Sequence, residues 1–180
     1  MADHVGVDMA DGTDRALGSG RGAFPQPVSA AFDWLARAQQ EPHQAHREWQ
    51  ERGIALLPLG KRFNSVCLPG RIVHAGIGAD ALDVVTRTLA ELLGGPVIHN
   101  APQNTYYALV EKGPTARWNY PDEAPMLGSG HFLSVPASDL RGPTGLHWAV
   151  RPRIVGDLCP VPSVAALVHI ARGTLKGARR

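Results

Sequence analysis

The stretch Gly53–Gly76, GIALLPLGKRFNSVCLPGRIVHAG, decides what kind of fold this sequence predicts. Ile54–Leu59 is a short, continuous apolar run, which is typical of a buried strand, and Pro58 favours a strand end or a sheet edge. Residues 60–62 are Gly-Lys-Arg and indicate a turn. A second strand follows at Phe63–Leu68. The stretch therefore predicts a strand, a basic turn and a second strand.

Helical and strand patterns surround this stretch on both sides. Ser29 is expected to cap a first helix, and Gly53 ends a second one because glycine tolerates the left-handed C-cap conformation. Since hairpins dominate after residue 95, we expect an α+β fold, with a largely antiparallel sheet of about six strands and flanking helices. The other predicted elements are helices at His43–Arg52, Ala79–Leu93 and Pro160–Leu175, strands at Pro96–His99 and Thr105–Val110, a loop at Lys112–Met126, and a hairpin joining Gly130–Pro136 to Leu146–Val150.

Length, composition and charge limit the domain organisation and the function. The 180 residues predict a disordered acidic leader at 1–27, one domain at 28–176 and a basic tail at 177–180. The formal net charge of +2 is too small to indicate nucleic-acid binding by itself. No membrane-spanning run and no secretory signal pattern occur, so we expect a cytoplasmic protein. Cys67 and Cys159 lie far apart beside apolar residues and predict two reduced, buried thiols.

Several short phrases, in their order along the chain, resemble the N-terminal domain of bifunctional DNA primase/polymerases, in the archaeo-eukaryotic primase superfamily. They are IALLPLG (Ile54–Gly60), NSVCLPG (Asn64–Gly70), LGGPVIHNAPQNTYYALV (Leu93–Val110), LGSGHFLSVPAS (Leu127–Ser138) and GLHWAV (Gly145–Val150), preceded by Trp49. The resemblance covers about residues 30–170. It implies an RRM-like core, a role in DNA replication, and a nucleotide or a nucleic acid as the ligand.

The catalytic chemistry of that family does not carry over to this sequence. Two cations that clamp a reacting phosphate need closely spaced carboxylates, which the resemblance implies near Ser65–Pro69. The sequence there is Ser-Val-Cys-Leu-Pro, and no Asp or Glu occurs between Glu51 and Asp80. The family's phosphate-contacting histidine would fall near Thr105. We therefore expect a pseudoenzyme with no catalytic residue, no metal site and no cofactor; Mg²⁺ or Mn²⁺ would be needed only by an active enzyme.

Seven residues are the candidates for binding a nucleotide or a nucleic acid. Four of them form or follow the basic turn, whose cations and backbone N–H groups suit a phosphate, although an ordinary basic hairpin turn is the simpler interpretation. The others lie after the second strand and at the predicted hairpin. The seven are Lys61, Arg62, Asn64, Ser65, Arg71, His131 and Arg151.

Histidines and aromatic residues allow two interpretations each. Four histidines on or beside predicted strands are either zinc ligands or, lacking the close spacing of a dedicated site, part-buried side chains of the fold. They are His74, His99, His131 and His147. Five aromatic residues either stack nucleobases on an RRM-like sheet or pack beneath the helices. They are Tyr106, Tyr107, Trp118, Phe132 and Trp148, of which Trp148 is expected in the core.

Three functions remain open. The first is a primase/polymerase-like domain that has lost two-metal nucleotidyl transfer and binds nucleotide or single-stranded nucleic acid. The second is a non-catalytic protein-interaction or regulatory module on the same scaffold, with an unknown protein partner. The third is an active primase/polymerase whose metal ligands have moved to Asp80, Asp83, Asp122 or Glu123. Cations and aromatic rings on an open sheet face would favour the first function, whereas an apolar or acidic face would favour the second.

Overall fold

The computed structural model describes residues 27–179. Most of the predicted leader at 1–27 lies outside the described residues, and so does Arg180 of the predicted basic tail. Pro27 begins the first helix and Gly177 ends the last one. The elements of the predicted domain therefore extend one residue beyond 28–176 at each end.

Helices and antiparallel strands build the described part of the chain, which confirms the predicted α+β class with flanking helices. Seven strands occur there, against about six predicted. The helices are α1 (Pro27–Ala36), α2 (Pro42–Arg52), α3 (Gly70–Ile77), α4 (Leu82–Leu93) and α5 (Val161–Gly177), with a 3-10 turn at Thr115–Arg117. The strands are β1 (Ile54–Pro58), β2 (Phe63–Pro69), β3 (Val97–Asn100), β4 (Thr105–Glu111), β5 (Met126–Leu127), β6 (Phe132–Pro136) and β7 (Leu146–Val150).

The larger sheet has the strand order β5-β2-β4-β3-β7, and β1 pairs with β6 in a separate two-stranded ribbon. Strand β4 lies between β2 and β3, which are joined through α3 and α4, so these elements form a split β-α-β unit. The second half departs from an RRM-like order. A loop with one 3-10 turn stands where a second crossover helix would be, and β5 has only two residues.

Three helices cover one face of the five-stranded sheet. Side chains of α3, α4 and α5 pack there against alternate residues of the strands, including Val66 and Leu68 of β2. Ile72, Leu89 and Val168, one from each of the three helices, are all at 0% exposure. Fully burying a branched aliphatic side chain contributes about 1.5–3 kcal/mol, so this face supplies much of the folding free energy.

The opposite face of the sheet is covered by α1, α2 and the β1–β6 ribbon. Trp49 of α2 donates from Nε1 to the carbonyl of Val135 at 2.9 Å, and Trp148 of β7 donates to the carbonyl of Pro136 at 3.0 Å. The Phe32 ring lies edge-on to both indoles, with centroids 5.3 and 5.7 Å away. Trp148 is 2% exposed, which confirms its predicted place in the core. The open sheet face expected from the sequence is therefore covered.

Two predicted strand pairings are wrong. The basic turn does not join a hairpin, because β1 pairs with β6 while β2 pairs with β4 and β5. Likewise β6 and β7 belong to different sheets, with β7 paired to β3. Strands that are adjacent in sequence pair with each other only part of the time. Here the pairing is determined by the apolar layer in which each strand is buried.

One helix was absent from the sequence prediction, and one helix end was predicted correctly. Pro69-Gly70 suggested only a strand end, but Pro69 is the N-cap of α3, whose Val73 is fully buried. The predicted C-cap at Gly53 is confirmed, with a φ of 71° and its N–H bonded to the carbonyl of Trp49 at 3.0 Å.

A substitution at Gly60 can test how tightly the basic turn packs against the chain before β6. Gly60 and Gly130 both have positive φ, 85° and 89°. A Cβ on Gly60 would lie 2.6 Å from the backbone nitrogen of Ser129, whereas one on Gly130 would meet nothing within 4 Å. Gly130→Ala should cost about 1 kcal/mol of unfolding free energy through φ alone, and Gly60→Ala about 2–4 kcal/mol through φ and the clash. Urea denaturation measures both, and equal losses would contradict this packing.

Candidate functional site

Two of the seven candidate residues line the same cavity. Lys61, in the turn after β1, and His131, just before β6, border a cavity of about 690 Å³. Its other walls come from the α1–α2 connection, α2 and β1. The two turns that carry these residues are tied together, because the Leu59 N–H donates to the carbonyl of His131 at 2.9 Å. The remaining lining residues are Gln39, Gln40, Glu41, Gln44, Glu48, Leu56, Pro58, Leu59, Ser129, Gly130 and Phe132.

The other candidates lie apart from this cavity. Arg62 is exposed in the same turn but does not line it. Asn64 and Ser65 are 1% and 0% exposed, and they alternate between the two covered faces of β2. The Asn64 amide donates to the carbonyl of Gly113 at 3.0 Å. The structure therefore does not bring these two side chains to the basic turn as the phosphate hypothesis required.

Arg71 and Arg151 lie in two further places. Arg71, in the first turn of α3, borders a small cavity against the C-terminal half of α5. Arg151, just after β7, is half-buried and donates to the carbonyl of Ser138 at 3.4 Å. The seven candidates thus form no single surface.

Glu48 organises the wall of the Lys61 cavity. Its carboxylate accepts hydrogen bonds from the Leu56 N–H at 2.9 Å, the Gln44 amide at 2.9 Å and the Gln39 amide at 3.3 Å. Gln39 also donates to the carbonyl of Leu56 at 2.9 Å, so two side chains occupy the open edge of β1. Burial alone would raise the pKa of Glu48, but these hydrogen bonds and the Arg52 charge together hold the pKa below its ordinary value.

An apolar surface adjoins the polar lining. Phe132 and Leu56 are 61% and 50% exposed on the outer face of the β1–β6 ribbon. Phe132 lies opposite Pro58 in the register, and Leu56 lies opposite Ser134. The cavity therefore combines one ammonium group, an imidazole and several amides with an accessible aromatic ring.

The position of the expected metal-binding carboxylates is part-buried and uncharged. Cys67 lies on β2 opposite Tyr107 of β4, and burial raises the pKa of the Cys67 thiol. Burial, with a smaller effect from Cys67, also raises the pKa of Tyr107. Across residues 27–179, no group of three or more His, Cys, Asp or Glu side chains is arranged to hold a metal ion. That finding includes the carboxylates proposed as relocated ligands.

The two cysteines are both free. Cys159 is buried, as predicted, and donates from Sγ to the carbonyl of Pro96 at 3.4 Å. Burial raises the pKa of Cys159 to about 12, so this thiol is unreactive near neutral pH. Cys67 is only half-buried, which differs from the prediction.

Three of the four histidines come together on the sheet face that α3, α4 and α5 cover. The His99 ring stacks on Tyr106 with centroids 4.1 Å apart and lies edge-on to His147 at 5.0 Å, while His74 of α3 lies edge-on to Tyr106 at 6.4 Å. His99 and His147 are 6% and 2% exposed. His131 lies elsewhere, in the Lys61 cavity. Tyr106, His99 and His147 are thus buried together, and half-buried His74 lies beside them.

Burial lowers the pKa of His99 to about 4, and the nearby His147 and His74 contribute to the shift. The Asn104 side chain opposes this shift, although it does not meet hydrogen-bonding geometry with the ring. Neither ring nitrogen of His99 has a hydrogen-bond partner within the described part of the chain. The fold therefore requires the neutral imidazole.

Most of the predicted stacking aromatics belong to the core. Tyr106, Trp118 and Trp148 are 1%, 7% and 2% exposed, and Tyr107 is half-buried. Phe132 differs from the others because it is largely exposed. Of these five residues, Phe132 is therefore the one whose ring is accessible for stacking on a base.

Two features of the structure were missed in the sequence. Nε2 of His46 lies 3.1 Å from the Asp33 carboxylate, beside a cavity of about 500 Å³ that Ser138 and Asp139 also border. The other is the cluster of cations around Arg71. The spacing of Arg172, Lys176 and Arg179 in the sequence could have indicated one basic helix face, but not its meeting with α3.

No protein-family model, curated protein or solved structure matches this chain. Within residues 27–179, no helix has both the length and the apolar content that crossing a membrane requires.

The His99 environment predicts a loss of stability on mild acidification. Because the pKa of His99 is about 4 in the fold and near 6.5 in the unfolded chain, the unfolded state binds more protons between these values. Stability is therefore fully present above pH 6.5 and falls as the pH decreases towards 4. We expect His99 to account for about 2 kcal/mol of the loss between pH 7 and pH 5. Denaturation of His99→Phe, which keeps a ring on Tyr106, should show that much less pH dependence.

His43→Phe is the matched control, because it removes an exposed imidazole from α2. If His99→Phe and His43→Phe changed the pH dependence equally, the burial of His99 would not be its cause.

Proposed function

We propose that this chain is a primase/polymerase-like domain that lacks two-metal nucleotidyl transfer and binds a nucleotide or single-stranded nucleic acid, in a role related to DNA replication. The cavity of about 690 Å³ bordered by Lys61, His131 and Phe132 carries this proposal. Cavities of about 300–1,000 Å³ are typical of small-molecule sites.

The lining chemistry matches the parts of a nucleotide. The Lys61 ammonium is exposed and suits a phosphate, and Arg62 adds a second exposed cation in the same turn. Phe132 offers a ring face on which a base can stack, worth about 1–3 kcal/mol per base. The amides of Gln40 and Gln44 both donate and accept hydrogen bonds, as recognition of an unpaired base edge requires.

The carboxylates of the cavity reduce its affinity for anions but do not neutralise it. Glu48 is buried and engaged in three hydrogen bonds, so its charge is already compensated within the fold. Glu41 is exposed and screened by solvent. A ligand with one or two phosphates and an extended base fits this mixed surface better than a densely charged polyanion does.

The absence of polymerase chemistry is supported by strand β2. The side chains that replace the expected carboxylates include Ser65 and Leu68, both at 0% exposure, and half-buried Cys67. Mg²⁺ and Mn²⁺ prefer oxygen ligands, and a thiol with a raised pKa is a poor substitute.

A non-catalytic protein-interaction module is the second candidate. The exposed Phe132 and Leu56 on the β1–β6 ribbon favour it, since exposed apolar groups are common at protein interfaces. The two candidates differ in their dependence on charge. Nucleic-acid binding must weaken with salt, whereas an apolar contact changes little.

Binding of a fluorescein-labelled single-stranded oligonucleotide, followed by anisotropy, tests the first candidate. Lys61→Gln should weaken binding about threefold to tenfold at 50 mM salt, and Phe132→Ala about fivefold or more through lost stacking. Arg87→Gln is the charge-matched control, because it removes an exposed cation from α4 on the other side of the sheet. It should stay within about twofold of the wild type.

Three results would count against this function. Absence of wild-type binding at 50 mM salt would remove it. Equal effects of Lys61→Gln and Arg87→Gln would place any binding away from the cavity. Salt-independent binding that is lost only in Phe132→Ala would instead favour the protein-interaction module.

A further inference from the structure

A second, smaller cavity lies on the opposite side of the five-stranded sheet, between α3 and α5. Its volume is about 150 Å³. Of the seven residues that line it, four are cationic and one is anionic. They are Arg71, Arg172, Lys176 and Arg179, with Glu123, Ile72 and Leu175. The cavity therefore has a strong local excess of positive charge.

Arg172 and Lys176 lie on one face of α5, and Arg179 follows in the turn after the helix ends at Gly177. Arg172 and Lys176 are four residues apart, which places their side chains on the same side of the helix, and Arg179 borders the same cavity. At a rise of about 1.5 Å per residue, Arg172 and Lys176 are roughly 6 Å apart along the helix axis. Arg71 adds a fourth cation from α3, the helix most closely packed against α5.

Two side chains, Glu123 and Tyr120, lie beside the Arg172 guanidinium and restrict its motion. Its guanidinium lies 3.6 Å from the Glu123 carboxylate and 5.4 Å from the centre of the Tyr120 ring. The Tyr120 hydroxyl lies 3.3 Å from Nδ1 of His169, one turn earlier on α5. A guanidinium with restricted motion loses less entropy when it binds an anion than a free side chain does.

The remaining cations are not neutralised by carboxylates. Among residues 27–179, Arg71, Lys176 and Arg179 form no ion pair with Asp or Glu. Like charges gathered at one concave surface repel each other, and an anion bound between them would relieve that repulsion. The volume suits a compact anion, since sites for larger ligands exceed about 300 Å³.

We infer that this cavity binds a phosphate group, carried either by a free oligophosphate or by a nucleic-acid strand. The planar guanidinium groups of Arg71 and Arg172 offer paired N–H donors to its oxygens, and Lys176 and Arg179 add charge. Glu123 competes with the anion for Arg172 and so limits its affinity. The inference goes beyond the proposed function, because different elements on the other side of the sheet carry it.

Titration of the full chain with pyrophosphate at low salt, followed by calorimetry, tests the site directly. Arg172→Gln/Lys176→Gln should weaken pyrophosphate binding about tenfold. Arg87→Gln/Arg141→Gln removes the same charge from two exposed positions outside the cavity and should change it by about twofold at most. Equal losses in the two double variants would overturn the inference, as would absence of wild-type binding.

Glu123→Gln provides a test in the opposite direction. Removing the competing carboxylate should strengthen pyrophosphate binding about twofold to fivefold. Because misfolding cannot strengthen binding at a specific site, a gain supports the cavity directly, and unchanged or weaker binding contradicts it.

A single-stranded oligonucleotide distinguishes the two sources of phosphate. Parallel losses for oligonucleotide and pyrophosphate in Arg172→Gln/Lys176→Gln would identify a nucleic-acid strand as the source, while a loss confined to pyrophosphate would identify a free oligophosphate. If the wild type bound pyrophosphate but no oligonucleotide, the proposed function would fail while the phosphate site remained.

Discussion

The constraint on which the structure depends is that both faces of the five-stranded sheet are apolar. Strand β2 shows it most clearly, because Phe63 faces one side and Val66 and Leu68 face the other, all at 0% exposure. A sheet with two apolar faces must be covered twice. Helices α3 to α5 cover one face, and α1, α2 and the β1–β6 ribbon cover the other. Neither the Lys61 cavity nor the α3–α5 cavity is consequently lined by a strand of the five-stranded sheet.

The covering of the second face and the absence of carboxylates from β2 follow the same physical logic. Ser65 is fully buried on that face, beside Leu109 and Leu127 in the register. An ionised carboxylate there, without a metal ion or a cationic partner, would cost several kcal/mol in lost hydration. Neutral side chains avoid that cost and allow the β1–β6 layer to pack closely. A two-metal centre at this point of β2 would need the opposite arrangement, an accessible face with charged groups.

The sequence predicts the individual elements of this fold better than their assembly. Local signals identify α2 with its C-cap at Gly53, and α4 and α5 from their apolar spacing. The sequence does not predict helix α3, because its eight residues are too few to show a period and Pro69 suggests an end rather than a start.

The strand pairing is not predicted for a different reason. Whether β1 joins β2 or β6 depends on contacts about 80 residues apart, such as that of Trp49 with Val135, which no local pattern encodes. The Lys61 cavity was found only in part, since Gln39 and Phe132 reach it from distant segments.

The distribution of charge, rather than its total, determines how the two cavities differ. A net charge of +2 gives a weak overall field and cannot by itself attract a polyanion. Glu41 and Glu48 border the same cavity as Lys61, so its lining carries charges of both signs. Its chemistry therefore depends on amides and on the Phe132 ring. Between α3 and α5, four cations face one carboxylate, so charge dominates. Salt at 0.1 M screens the interaction of exposed charges with a Debye length of about 10 Å. Ligand affinity should therefore depend more strongly on salt at the second cavity than at the first. The two proposals therefore assign different parts of one class of ligand to the two cavities, a base with its phosphate to the first and phosphate alone to the second.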